Sequence, residues 1–152
     1  MWFNNKIANP VVSLILRSRW HRWMSASVLL IAYRGRKSGK EFSLPVQYAQ
    51  DGHFIYIVPG MPERKSWWRN FRILTPVRLA LRGEELSGSG VLLDPATRRE
   101  EIVTGIEVYL HGFPSLARAY HIRSSLGGGW ESADLHRAAE TAVMIRVELK
   151  KP

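Results

Sequence analysis

The sequence predicts a single α+β domain, residues 1–152, built round a small antiparallel β-barrel of about six strands with helices on its outside. Three observations predict it. Short β-rich stretches follow one another with no strand–helix–strand alternation, which argues against a parallel doubly wound sheet and for a closed or nearly closed antiparallel barrel. Asp51-Gly52 is a tight-turn signal between two of these stretches. Finally, 152 residues with 45% apolar and 11% aromatic content suffice for one core, and no linker, repeat or low-complexity segment divides the chain.

The elements follow in order. Asn9 as cap, Pro10 at the first helical position and Val12, Leu16, Trp20 and Trp23 on one face predict an amphipathic helix over 9–24, with Arg17, Arg19, His21 and Arg22 at its far end. The barrel core is expected over 27–93. Val28 to Tyr33 is an apolar run typical of a strand buried on both faces. A second strand runs from Glu41 to Ala49, and a third, His53 to Val58, pairs with it across the Asp51-Gly52 turn. Pro59, Gly60 and Pro62 break the sheet, and Glu63 to Ile73 has helical spacing with Trp67, Phe71 and Leu74 inward. Strands Val77 to Arg82 and Leu86 to Leu93 close this half. The C-terminal part, 94–150, holds a helix introduced by Asp94-Pro95 over Thr97 to Leu110, a short helix over Ser115 to Ile122, a Gly127–Gly129 break and a last strand from Thr141 to Leu149.

Charge narrows the partner. Lys and Arg number 22 against 13 acidic residues, a formal +9 that attracts phosphate-bearing small molecules, acidic lipid or nucleic acid. The basic residues crowd into 17–22, 34–40 and 64–72, so an anion is expected at the first half of the chain. A small molecule is the expected partner, not nucleic acid. The longest apolar run reaches only about half of the ~20 residues that a membrane-spanning helix needs, and the start lacks a secretory pattern, so the expected location is the cytoplasm. Membrane association through the tryptophans and cations of the first helix is the alternative. The absence of cysteine excludes a disulfide framework, a thiol nucleophile and Cys-based metal sites. The five histidines show no pair at ligand spacing, so no metal is expected, and Ser43, Ser87 and Ser89 lack the strand–turn–helix setting of a hydrolase nucleophile.

Two constellations carry the chemistry. Gly35-Arg-Lys-Ser-Gly-Lys40 joins the first two strands with three cations, the Ser38 hydroxyl, and Gly35 and Gly39, whose freedom at positive φ can turn backbone N–H groups toward one anion. It is no nucleotide-hydrolase phosphate loop, since it has the wrong glycine spacing and Glu41 after the lysine, and no dinucleotide fingerprint, since a strand follows. The second is Arg64-Lys-Ser-Trp-Trp-Arg-Asn70, which sets cations at a helix start beside two tryptophans able to wall a planar ring.

These motifs, with Leu44-Pro-Val-Gln-Tyr48 and Asp51-Gly52 between them, resemble the deazaflavin (F420H2)-dependent nitroreductase family of split-β-barrel oxidoreductases, in order and spacing over about residues 8–149. The resemblance implies a split β-barrel like those that bind FMN, which holds coenzyme F420 and transfers a hydride to an electron-poor acceptor such as a nitro compound, quinone or enone. It further implies that Arg36, Lys37, Ser38, Gly39, Lys40, Arg64 and Lys65 hold the phosphate and acidic tail. Leu44, Pro45 and Val46 would run beside the ring, and Trp68 and Asn70 would close the helix side. Tyr109, Tyr120 and Trp130 would contact substrate. For the proton to the product, Tyr48, Tyr120 and Ser38 are the candidates. Related barrels pair, which implies a homodimer. One departure stands out: Val58-Pro-Gly-Met-Pro62 lacks the Ser-Lys pair found after the third strand in well-known members. An FMN-dependent reductase, or a non-catalytic split barrel binding a flavin, haem or lipid-like ligand, is therefore the alternative.

Overall fold

In the computed structural model, residues 27–151 are described. The predicted helix over 9–24, and any membrane contact through it, lie outside them. Seven strands form one antiparallel sheet: β1 (Val28–Arg34), β2 (Glu41–Gln47), β3 (Ala49–Asp51), β4 (Phe54–Ile57), β5 (Thr75–Leu81), β6 (Glu84–Leu92) and β7 (Ile145–Leu149). A 3-10 helix, Trp67–Arg72, precedes β5, and helices α1 (Arg99–Gly112), α2 (Leu116–Ala119) and α3 (Ser132–Ala139) lie between β6 and β7.

The spatial order β2-β1-β5-β6-β7-β4-β3 requires curvature. Its two edges, β2 and β3, are separated in sequence by Tyr48 alone. Laid flat, six inter-strand spacings would hold those edges about 29 Å apart, whereas the two steps from Gln47 to Ala49 span only about 7 Å. The sheet therefore curls until its edges meet, which makes the predicted barrel.

The same bend accounts for a strand count of seven where six are expected. The predicted strand Glu41–Ala49 is divided at Tyr48, whose N–H bonds to Ser27 O at 3.1 Å. Tyr48 and Ala49 are both buried, Tyr48 in the barrel interior and Ala49 in the packing under the helices, as strand alternation requires. What changes at Tyr48 is the ladder partner, β1 for β2 and β4 for β3.

Alternation elsewhere sorts the two cores. Leu29, Ile31 and Tyr33 of β1, Ile55 and Ile57 of β4, Val77, Leu79 and Leu81 of β5 and Ile145 and Val147 of β7 fill the barrel. Tyr56 points the other way, into a second core with Ile102, Val103, Ile106 and Leu110 of α1 and Leu135 and Ala139 of α3. Phe71 of the 3-10 helix is fully buried against the barrel, in edge contact with Tyr33 at 5.2 Å and Trp67 at 6.1 Å. Gly90 makes room for it, since a Cβ there would stand 3.0 Å from the Phe71 ring.

The helix expected over Glu63–Ile73 is only the 3-10 segment Trp67–Arg72. Its start is blocked upstream: Met61 takes a left-handed φ of 47°, and Arg64 N–H closes a turn on Met61 O at 3.0 Å. At its end the Thr75 hydroxyl bonds to Ile73 O at 2.7 Å and leads the chain into β5. Leu74, expected inward, is 63% exposed. Helix α3 falls where no element is expected, and the last strand begins at Ile145 instead of Thr141.

Candidate active site

The β1–β2 register, Arg34 opposite Glu41, leaves 35–40 as the connecting hairpin. Gly35 N–H bonds to Lys40 O at 2.8 Å, and Gly39 N–H to Gly35 O at 2.9 Å. Gly39 sits at φ 68°, which glycine adopts without steric cost. The Ser38 hydroxyl oxygen accepts from Lys40 N–H at 3.2 Å. Arg36 N–H leaves the hairpin altogether and donates to Asn70 Oδ1 at 3.0 Å. Among the described residues no bond engages the N–H groups of Lys37 and Ser38, and both side chains are exposed with those of Arg36 and Lys40.

Asn70 joins the two cationic stretches. Its Oδ1 holds the hairpin, and its Nδ2 donates to Trp67 O at 2.9 Å within the 3-10 helix. Arg64 and Lys65 are exposed in the turn before that helix, so their contribution is charge alone and not a helix N-terminus. Trp68 is half-buried and donates its indole N–H to Pro62 O at 3.0 Å. The guanidinium of Arg69 lies 5.2 Å and that of Arg72 6.0 Å from its ring centre. On β2, Val46 is buried in the barrel, Leu44 packs partly against it, and Pro45 is exposed on an edge strand where its missing N–H costs no ladder bond.

Two hollows continue from Trp68. One, of about 410 Å³, is lined by Trp68, Arg72, Asp94, Pro95, Ala142 and Val143 among others. The other, of about 670 Å³, shares Ala142 and Val143 with it and extends past Val58–Pro62, Tyr109 and Tyr120 to Arg137. Together they form a trough that begins beside the hairpin's partner helix and ends in a mainly apolar groove over α1 and α2.

The structure separates the candidate tyrosines. Tyr120 is 45% exposed and lines the groove. Tyr109 lines it as well but is buried; its hydroxyl donates to Gln47 O at 2.9 Å and accepts from Val58 N–H at 3.4 Å, and burial pushes the phenol well above its usual pKa. Tyr48 lies in the barrel and borders a different hollow, of about 570 Å³, with Arg82, Glu107 and His111. Burial raises its phenol pKa too, against the nearby Arg82. Trp130 packs among the residues of the second core and bridges to Ser124, away from the groove lining.

Sequence reasoning missed one cluster at the groove wall. Asp134 of α3 is 3% exposed and accepts from Arg123 N–H at 3.0 Å, Arg123 Nε at 2.9 Å and Arg137 Nη1 at 2.9 Å. These bonds, those from Arg123 foremost, hold its carboxyl well below the usual carboxylate range. The Asp134–Arg137 pair is visible in the sequence as an i,i+3 spacing, but the contact with Arg123 is not.

The family model described as F420H(2)-dependent quinone reductase matches residues 18–108. Among solved structures, one of an F420-H2 dependent reductase is 16% identical, covers 80% of this chain and 94% of its own, and superposes with a TM-score of 0.54. Another, described as a domain-swapped dimer, is 15% identical, covers 92% of this chain and 100% of its own, and gives 0.55. At such identities the likeness establishes the fold, a split barrel with flanking helices. None of the curated proteins compared matches the chain.

Proposed function

The chain belongs to the F420H(2)-dependent quinone reductase family, and from that membership we propose that the hairpin and the trough beside it form the site where a hydride passes from reduced coenzyme F420 to a quinone-like acceptor. The bound deazaflavin supplies the hydride, so the protein's part is placement and electrostatics.

The donor set suits a phosphorylated, acidic coenzyme. Arg36, Lys37, Lys40, Arg64 and Lys65 are exposed cations on two stretches that the Arg36–Asn70 bond ties together, and the N–H groups of Lys37 and Ser38, unbonded among the described residues, add uncharged donors. That bond carries the assignment, because it is the direct link between two clusters that the packing of Phe71 on Tyr33 already holds to the same strand. Trp68 lines the head of the trough and would border the ring, together with Asn70 of the same 3-10 helix and Leu44, Pro45 and Val46 of β2. The apolar groove beyond then takes the acceptor. There Tyr120 is the exposed hydroxyl suited to pass a proton to the product, while Tyr109 braces the wall with its hydroxyl committed to backbone. Ser38 is engaged by Lys40 N–H and serves the hairpin.

Titration of the protein with F420, followed by the coenzyme's fluorescence, tests this reading. Saturable binding at micromolar levels is expected, weakened about tenfold or more when Lys37 and Lys40 are both replaced by Ala, and weakened by salt. Oxidation of F420H2 should then depend on added naphthoquinone. Absence of saturable binding would refute the assignment.

A further inference from the structure

We propose that Arg137 is a specificity-determining residue for the electron acceptor, a cation locked into the groove wall that favours acceptors bearing an anionic substituent. The proposal rests on the acceptor occupying the groove of Tyr109 and Tyr120, as above.

The groove is apolar over most of its lining, and among the described residues the titratable side chains on it, besides the two tyrosines, are His121, Arg137 and Glu140. Glu140 is drawn aside, with its carboxylate 3.6 Å from Arg99 of α1. Arg137 is held by three bonds. Its Nη1 donates to Asp134 at 2.9 Å, and its Nη2 donates to His121 O at 2.7 Å and to Tyr120 O at 3.4 Å. Both carbonyls belong to the groove wall itself, and His121 takes a left-handed φ of 56° that these bonds help to maintain.

Charge counting gives the cluster its sign. One buried carboxylate, Asp134, serves two guanidiniums, those of Arg123 and Arg137, so it does not neutralise both, and Arg137 is the one of the two that lines the groove. The Arg137 fork is already fixed, and an incoming anion therefore meets a cation whose rotamer entropy is spent in folding and not in binding. A guanidinium has five N–H donors, and the three bonds leave Nε and one Nη1 hydrogen for a ligand. The side chain is 52% exposed, which keeps the effect modest.

The test compares a naphthoquinone with its sulfonated derivative as acceptors for F420H2, in wild type, R137Q and R137K. In R137Q the ratio of kcat/KM for the sulfonated over the plain quinone should fall about three- to tenfold, through KM and not kcat. R137K, which keeps the charge without the fork, should fall between. The wild-type preference should also shrink as salt rises from about 50 to 500 mM. Equal losses on both acceptors, or an unchanged ratio, would overturn the proposal and leave Arg137 a brace for the wall. Failure of the wild type to bind F420 or to reduce either quinone would sink the proposed function itself, and the coenzyme titration separates that case.

Discussion

The backbone N–H of Arg36 donates to the side-chain oxygen of Asn70 at 3.0 Å, across 34 positions of sequence. The same side chain, through Nδ2 on Trp67 O, anchors the hairpin to the 3-10 helix. Replacing Asn70 by Ala should therefore loosen the hairpin without removing any charge. Affinity for F420 is expected to fall about five- to tenfold, the worth of roughly 1 kcal/mol of lost hydrogen bonding. Asn70→Asp keeps the acceptor atom but sets a negative charge beside the anion site and loses the donor to Trp67 O, so it should fall at least as far. A fluorescence titration of both variants that matched wild type would show that the bond does not organise the site.

A pH effect on stability is expected from His136. Its Nδ1 lies 2.8 Å from Ser132 O, and its Nε2 lies 2.9 Å from Glu100 of α1. A carbonyl and a carboxylate both accept, so both ring nitrogens are favoured as donors and the imidazolium is stabilised, first by the Ser132 carbonyl and then by Glu100. A raised folded pKa contributes stability that is fully present below the unfolded value of about 6.5 and is lost as pH rises through the folded one. The melting temperature of wild type minus that of H136Q should thus shrink between about pH 6 and pH 8. A difference that is constant with pH would refute the clasp.

Tyr109 bridges the end of β2, through Gln47 O, and the end of β4, through Val58 N–H. Tyr109→Phe leaves a carbonyl and an amide without that partner at a part-buried place, at a cost of about 1–2 kcal/mol. In a chain of this size that is a drop in melting temperature of roughly 3–8 °C. The loop Val58–Pro62 borders the acceptor groove, so KM for the quinone should rise while F420 affinity changes little. Steady-state kinetics with each substrate varied in turn will show whether the two effects separate.

Gly105 brings α1 against the sheet. A Cβ there would stand 2.7 Å from the Tyr56 ring and would run into Met144 Sδ, and both neighbours are buried. Gly105→Ala gains up to about 1 kcal/mol of helix propensity but overpacks this contact by about 1–3 kcal/mol. Chemical denaturation should report a net loss of about 1–2 kcal/mol. A Gly105→Ala variant as stable as wild type would mean that α1 shifts freely on the barrel.

Much of this molecule was legible before any coordinates, and the parts that were share a physical character. The strand β1, the Asp51-Gly52 turn leading into β4 and the hairpin of 35–40 are encoded by patterns only a few residues long, apolar period and glycine at left-handed positions. The helix expected from Thr97 also forms, but from Arg99, because Asp94-Pro95 make a turn ahead of it and not its first turn. The cationic character of the two site stretches is equally a property of composition. What the sequence did not contain is anything that depends on the barrel closing. Tyr48 ends one strand and begins another because the two edges of the sheet must meet there. The segment before Trp67 stays out of helix because Met61 and Pro62 are committed to a turn and to the Trp68 indole. Asp134 finds Arg123 only once the chain from 120 to 131 has folded back on α3. Short-range preferences write themselves into neighbouring residues, whereas contacts across 34 or 62 positions, as at Asn70 and Tyr109, arise from curvature of the whole sheet and are decided only when it closes.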